Sequence, residues 1–273
     1  MKIALIIPTR GDRPKFLKQC YHLISRQTLK ADEVIVMDYA PEGGQKDLTQ
    51  RYRRGVEQAT KKGCDCAIFW EDDDWYHPTY VEWLIKEWKG QKKPALFGVG
   101  ETYYYNLAAR GRLHMKHPGR TSAFCTLLKL PYTGSWPHDN HAYIDMHFHK
   151  TGKMKTVNFP TGKILAIGIK HGVGLCGGGG HLARFRWDTI GDKARKWFVK
   201  NMDNELKFYD DLTPTLTVQQ GNLISKNRGY VRSTSKKPNI RHGQKTVRKK
   251  VTTIGPSTQL RRRGRQIIKV RRK

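Results

Sequence analysis

Residues 66–78 read Cys66-Ala67-Ile68-Phe69-Trp70-Glu71-Asp72-Asp73-Asp74-Trp75-Tyr76-His77-Pro78. Five apolar residues in succession, without polar alternation, describe a strand covered on both faces. The strand runs directly into four carboxylates. Adjacent carboxylates repel one another, and no neighbouring base in the sequence relieves them. Aromatic residues bound the run on both sides, which sets it apart from an open, solvated acidic turn. Carboxylates at a buried strand end suit a hard divalent cation, Mg²⁺ or Mn²⁺, which takes oxygen ligands and shares them with phosphates.

The flanking sequence repeats the same logic. Lys2–Ile7 carries five consecutive apolar residues and reads as a buried strand, followed by the loop Pro8-Thr9-Arg10-Gly11. Asp12 stands where an N-cap would, with Pro14 in the first turn of a helix carrying Phe16, Leu17, Cys20, Leu23 and Ile24. Glu33–Met37 is a second buried strand, ending at Asp38. Leu48–Lys62 reads as a helix closed by Gly63. Pro78 opens another, with Val81, Leu84, Ile85 and Trp88 on one face. Strands alternating with helices at this spacing predict an α/β fold: a mostly parallel, Rossmann-like sheet with helices on both faces. Ligands in such sheets bind beyond the carboxyl ends of the strands. Arg10, Asp38 and the acidic run all fall there, so three separated segments converge on one crevice. Further on, strands are expected at Ala95–Val99 and Lys163–Ile169, and helices at Asn140–Lys150 and Asp192–Tyr209.

The chain has 273 residues, with 52 Lys+Arg against 23 Asp+Glu, a net charge of +29. The charge is unevenly placed: from Leu212 to Lys273 there is no acid and there are 18 basic residues, leaving +11 for residues 1–211. This divides the chain into a globular domain, 1–211, and a basic extension, 212–273, for which a polyanion is the expected partner. The extension's charge clusters at Arg248-Lys249-Lys250, at Arg261-Arg262-Arg263 with Arg265, and at Arg271-Arg272-Lys273. The 7 Trp, 12 Tyr and 9 Phe argue against a wholly disordered chain. No apolar run approaches the length of a membrane span, and Met1–Ile7 lacks a signal peptide's long apolar region. The five scattered cysteines suit reduced thiols, hence a cytoplasmic setting.

The first ninety residues resemble the GT-A glycosyltransferases of family two. The resemblance is carried by Ile6-Ile7-Pro8-Thr9-Arg10, by Ser25-Arg26-Gln27-Thr28 and by Asp32-Glu33-Val34-Ile35-Val36-Met37-Asp38. It continues through Gly55, Ala59 and Gly63 to Phe69–Pro78. It implies a nucleotide-sugar donor, most often a UDP-sugar such as UDP-glucose, with a metal bridging the diphosphate. By this resemblance Pro8, Thr9 and Arg10 lie on the nucleotide loop and Asp38 contacts the uracil or ribose. Asp73, with Glu71, holds the metal, and Asp72 or Asp74 lies close to the sugar. Two positions depart from the family pattern: Glu71 replaces its first Asp, and Tyr39-Ala40-Pro41 replaces Asp-Gly-Ser.

Ser135-Trp136-Pro137-His138-Asp139-Asn140 resembles the family's later acidic motif, whose Asp takes the acceptor hydroxyl's proton. Asp139 is the first candidate base and Asp145 the second, with a simple helix N-cap the competing role for Asp139. Ile169-Lys170-His171-Gly172 resembles the late segment in which a His completes the metal shell, which makes His171 a candidate ligand. Gly172–Gly177 matches G-x-G-x-x-G, but it lies late in the chain and more glycines follow; a flap over the donor, ending at His181, is the better reading.

A transferase domain with a strongly basic extension points to DNA as acceptor. The acceptor group would be a hydroxymethylated pyrimidine, since unmodified bases lack a suitable hydroxyl; resemblance to enzymes of that kind implies a bacteriophage that hypermodifies its genome. The target base would be flipped from the duplex, with Tyr132, Trp136 and Tyr103–Tyr105 available to stack on it. Two alternatives stand beside this: a saccharide, lipid or protein acceptor with the extension on an anionic membrane, and a nucleic-acid-binding protein on an inactive transferase fold.

Overall fold

A computed structural model of the chain describes residues 1–9, 11, 13–40, 47–141, 143–171 and 187–212. Arg10, the Asp12 cap, the glycine-rich 172–181 segment and the basic clusters of the extension lie outside the described residues.

The core is a six-stranded sheet in the order β2-β1-β3-β8-β5-β9. Its strands are β1 (Ile3–Thr9), β2 (Glu33–Asp38), β3 (Cys66–Phe69), β5 (Leu96–Val99), β8 (Thr126–Lys129) and β9 (Lys155–Val157). β1 pairs in parallel with both β2 and β3, β8 runs antiparallel between β3 and β5, and β9 is parallel to β5. The unbroken apolar run of β1 reflects burial on both faces. Ile3, Leu5 and Ile7 pack on one side with Cys20 and Leu23 of α1 (Pro14–Ser25) and Leu84 and Trp88 of α3 (Tyr80–Gly90). Ala4 and Ile6 pack on the other with Tyr52, Val56 and Ala59 of α2 (Leu48–Lys61) and Ile144 and Phe148 of α4 (Ile144–Lys150). Each such aliphatic or aromatic side chain contributes roughly 1.5–3 kcal/mol on full burial. The expected α/β architecture with helices on both faces is present.

A second sheet, β11-β7-β6-β10-β4, adds what the sequence did not announce. It comprises β4 (Trp75–Tyr76), β6 (Glu101–Asn106), β7 (Gly111–Lys116), β10 (Ala166–Lys170) and β11 (Thr189–Ile190). β10 pairs antiparallel with β4 and parallel with β6. The two-residue strand β4 follows the acidic run at once, so its pairing with β10 fixes that run against the residues that end β10.

Several boundaries differ from expectation: β10 runs Ala166–Lys170 rather than Lys163–Ile169, and α3 starts at Tyr80 rather than Pro78. The N-cap position of α1 is Arg13, whose side chain makes no capping bond. α4 starts at Ile144 rather than Asn140, because 138–141 forms a turn tied to α2 by Thr49 Oγ1 donating to the His141 carbonyl at 2.6 Å. The expected Asp192–Tyr209 helix divides into α5 (Asp192–Met202), a short 3₁₀ turn and α6 (Leu206–Asp211). The break turns Glu205 inward, where it pairs with Arg26 and accepts from Gln19 Nε2 at 2.8 Å. Among the described residues no helix is long and apolar enough to cross a membrane.

Gly55 lets α2 lie directly on the sheet: a Cβ there would overlap the Ile6 side chain and sit 3.4 Å from Met37 Cγ. Gly55→Ala is expected to lower stability by about 1–3 kcal/mol through overpacking, measured by urea denaturation.

Candidate metal centre and nucleotide site

β3 delivers Glu71–Asp74 to the carboxyl end of the parallel strands, beside Thr9 and Asp38, which are paired in register at the ends of β1 and β2. Ligand oxygens of Glu71, Asp73 and Asp74 lie within 4.8 Å of one another. Asp74 Oδ1 accepts from the Ile169 amide at 2.8 Å, while its Oδ2 is buried without a hydrogen-bond partner among the described residues. Glu71 is held by its own amide, which donates to the Tyr76 hydroxyl at 2.9 Å. Tyr76 in turn stacks on Trp70 at 3.7 Å.

Cations reach the run from distant segments. Arg13 donates through Nη1 to Asp73 Oδ2 at 2.6 Å and through Nη2 to Asp72 Oδ1 at 2.8 Å. His171 Nε2 lies 2.9 Å from Asp73 Oδ2, its ring buried against Phe16 at 4.4 Å. Lys170 stands over the Tyr104 ring at 4.6 Å. Burial acts to depress the Lys170 ammonium, but Asp74, Glu71 and Asp73 outweigh it and hold its pKa above the usual lysine value.

The carboxyls respond in opposite directions. Burial, and then repulsion from Asp73, raise Glu71 and Asp72 to about 7. Burial, with Glu71 and Asp73 adding to it, also raises Asp74 well above its usual value. Burial also pushes Asp73 upward, but the His171 hydrogen bond and the Arg13 charge prevail and hold it well below the usual carboxylate range. Four carboxylates thus face two permanent cations and one imidazole. The donor set is all oxygen apart from His171, negative in excess, and contains a buried oxygen without a partner. These residues fit a hard divalent cation.

The ends of β1 and β2 are braced from behind by Arg51 of α2, a fully buried arginine that the sequence did not single out. Its guanidinium donates to the carbonyls of Thr9, Met37 and Tyr39, and to the Asp47 carboxylate at 2.7 Å. It also stacks over the Tyr39 ring at 4.1 Å. Asp38 is exposed, and its Oδ1 approaches Gly11 so closely that a Cβ there would lie 2.7 Å away; Gly11 also has φ +72°. Pro8 and Thr9 are buried at the end of β1.

The two candidate bases sit differently. Asp139 is paired with Arg53 through both oxygens, at 3.0 and 2.6 Å, on the rim of a cleft with Trp136 and His138. Asp145, in the first turn of α4, accepts from Arg120 Nη2 at 3.2 Å. Its charge and that of Asp74 both act on Tyr104, the ring beneath Lys170. Three of the aromatic residues set aside for base stacking are engaged in packing: Tyr105 stacks on Phe198 at 3.8 Å, and Tyr132 and Trp136 meet Phe148 edge-on.

Glu71 and Asp72 hold protons up to about pH 7 when folded, but only to about pH 4 when unfolded. The folded chain binds more protons between those values, so stability falls as pH rises across that window. Asp73 is ionised in both states there and contributes no slope. The Tm of the metal-free protein is expected to be lower at pH ~7.5 than at pH ~5.5, with Mn²⁺ restoring more at the higher pH. Replacing Arg13 by Leu leaves Asp72 and Asp73 short of a cation and is expected to cost about 3 kcal/mol in urea denaturation.

No protein-family model matches the chain, and no curated protein matches it. Among solved structures it is similar to residues 1–349 of S. aureus TarS in complex with UDP, at 10% identity and a TM-score of 0.45, over 86% of this chain and 91% of that one. The same TarS fragment in complex with UDP-GlcNAc aligns at 8% identity and a TM-score of 0.42, over 84% and 80%. The mannosyltransferase PcManGT from Pyrobaculum calidifontis, in complex with GDP-Man and Mn²⁺, aligns at 13% identity and a TM-score of 0.40, over 86% and 75%.

Proposed function

We propose that the chain is a metal-dependent inverting GT-A glycosyltransferase that moves a hexose from a UDP-sugar, UDP-glucose first among them, to a hydroxymethylated pyrimidine in DNA. The observation that carries the reading is the convergence of Glu71, Asp73 and Asp74 at the strand ends beside Asp38, with Asp74 Oδ2 buried and without a partner among the described residues. The motif resemblance of the first ninety residues supports the transferase chemistry. The acid-free extension, with its 18 basic residues, supports a polyanionic acceptor.

In this reading Glu71, Asp73 and Asp74 would hold Mn²⁺ or Mg²⁺, which when bound neutralises the diphosphate leaving group. Asp38, whose carboxylate Gly11 lets lie close to the main chain, receives the uracil or ribose. Arg13 fixes Asp72 and Asp73, and Lys170 offsets the remaining carboxylates. The acceptor hydroxyl attacks the anomeric carbon as the bond to the diphosphate oxygen breaks. The electron pair leaves on that oxygen, and the hydroxyl proton passes to a carboxylate. Of the two candidates Asp145 suits this better. The Arg53 pair occupies both oxygens of Asp139, whereas Asp145 keeps one oxygen clear of its Arg120 bond.

The test is incubation with UDP-glucose, Mn²⁺ and DNA containing hydroxymethylcytosine or hydroxymethyluracil, read by nucleoside mass spectrometry for one added hexose. Transfer to a saccharide, lipid or protein with none to DNA would overturn the acceptor. Asp73→Asn is expected to abolish transfer while DNA binding persists. Asp145→Asn should lower kcat by about 10²–10⁴, and Asp139→Asn by much less; the reverse order would return the base to Asp139.

A further inference from the structure

The second sheet presents a surface that this reaction leaves unused. In the β6–β7 pair Glu101 faces Lys116, Tyr103 faces His114 and Tyr105 faces Arg112. With a side-chain period of two, all six share one face. Helix α5 covers only part of that face. Phe198 seals Tyr105, while Trp197 and Phe159 stand back from Tyr103 at 6.1 and 6.2 Å between ring centres. What remains is a cleft of about 430 Å³, walled by Tyr103, Trp197 and Phe159 and edged by Arg112, Lys116 and Lys163.

Rings and charges are arranged for more than packing. Tyr103 lies flat on His114 at 4.1 Å with 4° between the planes, and its plane is within 22° of Trp197. The Arg112 guanidinium sits 5.5 Å from the Trp197 ring. Glu101, the acid of this lining, is engaged through both oxygens, accepting from the Phe159 amide at 2.7 Å and meeting His114 Nε2 at 2.7 Å. An adjoining cleft of about 320 Å³ shares Gly162, Lys163 and Ile164 and adds Arg26, His77 and Lys200. The field there is positive: burial and then the charges of Lys163 and Arg26 all depress His77. Two clefts that share one loop therefore make a trough with a ring-walled half edged by Arg112, Lys116 and Lys163 and a second half that adds Arg26 and Lys200.

Flat rings recognise bases through their π-faces, and flanking cations follow a phosphodiester backbone. We propose that this trough binds a single-stranded stretch of nucleic acid, with an unpaired base against Tyr103 and Trp197 and the neighbouring phosphates against Arg112, Lys116 and Lys163. The inference rests on the nucleic-acid acceptor reading for its natural occupant. The trough would hold the strand next to an extruded base, a role separate from the extension's charge.

The test uses the full chain without donor or metal, and an oligothymidylate of about twelve nucleotides, within the span of known single-strand sites. One form carries a fluorophore for anisotropy and another carries 4-thiothymidine for cross-linking. Cross-links are expected at Tyr103 and Trp197. Between about 50 and 200 mM salt, the triple variant Arg112→Ala/Lys116→Ala/Lys163→Ala should reduce the slope of log affinity against log salt by about 2. Trp197→Ala should weaken binding about tenfold with the slope unchanged, and Trp197→Phe should restore most of it. Cross-links confined to residues 213–273, or an unaltered slope in the triple variant, would overturn the proposal. So would Trp197-dependent binding of dextran sulfate tighter than that of the oligonucleotide, which would reassign the trough to an anionic polysaccharide. Failure of the trough with transfer to modified DNA intact removes the trough alone; absence of transfer with the cross-links intact removes the acceptor reading alone.

Discussion

Four consecutive carboxylates can be carried into a protein interior only if cations come to meet them, and that requirement organises this molecule. Desolvating a carboxylate costs several kcal/mol, and attraction in a low-dielectric site offsets this only when the partner is well placed. Arg13 arrives from the loop after β1, and Lys170 and His171 from the end of β10. The second sheet, through the pairing of β4 with β10, is what brings the latter two within reach. Without it, Asp73 would lose the hydrogen bond that keeps it ionised, and the run would take up protons instead of offering oxygens. The compensation is incomplete, as the raised Glu71, Asp72 and Asp74 carboxyls record. A site left short of positive charge in this way is a site prepared for a cation.

The two sheets divide the work. The parallel β2-β1-β3 core sets the depth and direction of the crevice, because its buried strands end in register at Thr9, Asp38 and the acidic run. The second sheet brings Lys170 and His171 to the acidic run through the β4–β10 pair and carries the Tyr103–Trp197 cleft beside the β6–β7 pair. Gln27 shows how tightly the first sheet's helices are coordinated with the site. Its Nε2 donates to the His77 carbonyl at 3.0 Å and its Oε1 accepts from the Val81 amide at 3.1 Å, joining the end of α1 to the start of α3 just beyond the carboxylates.

Much of the first half was legible in the sequence for a simple reason. Strands covered on both faces need unbroken apolar runs, and each such run stopped at a polar residue that lines the crevice. Of the second sheet only β10 was legible, as the strand expected at Lys163–Ile169; Glu101–Asn106 and Gly111–Lys116 mix tyrosines with charges, and β4 and β11 span two residues each. Asp192–Tyr209 carries one helical stripe, yet Glu205 finds Arg26 by breaking the helix, a gain that no local periodicity signals. In the site, the acids stood out as a run, whereas Arg13, Arg51 and Lys170 were three among 52 basic residues. Nothing in a residue's letter says that it will be buried beside a carboxylate. The candidate bases show the same limit: Asp139 drew notice by its motif, while its Arg53 partner is 86 positions away.

Arg51 has a consequence for how such a crevice can diversify. Its grip on the strand ends is made to the carbonyls of Thr9, Met37 and Tyr39, and main-chain oxygens are present whatever side chains those positions carry. The scaffold is therefore insulated from the side chains of Thr9 and Met37, and of these three positions depends on a side chain only at Tyr39, where the Arg51 guanidinium stacks on the ring. Side chains can therefore change at positions 9 and 37 while the strand ends hold their spacing, since the bonds that hold them end on the main chain.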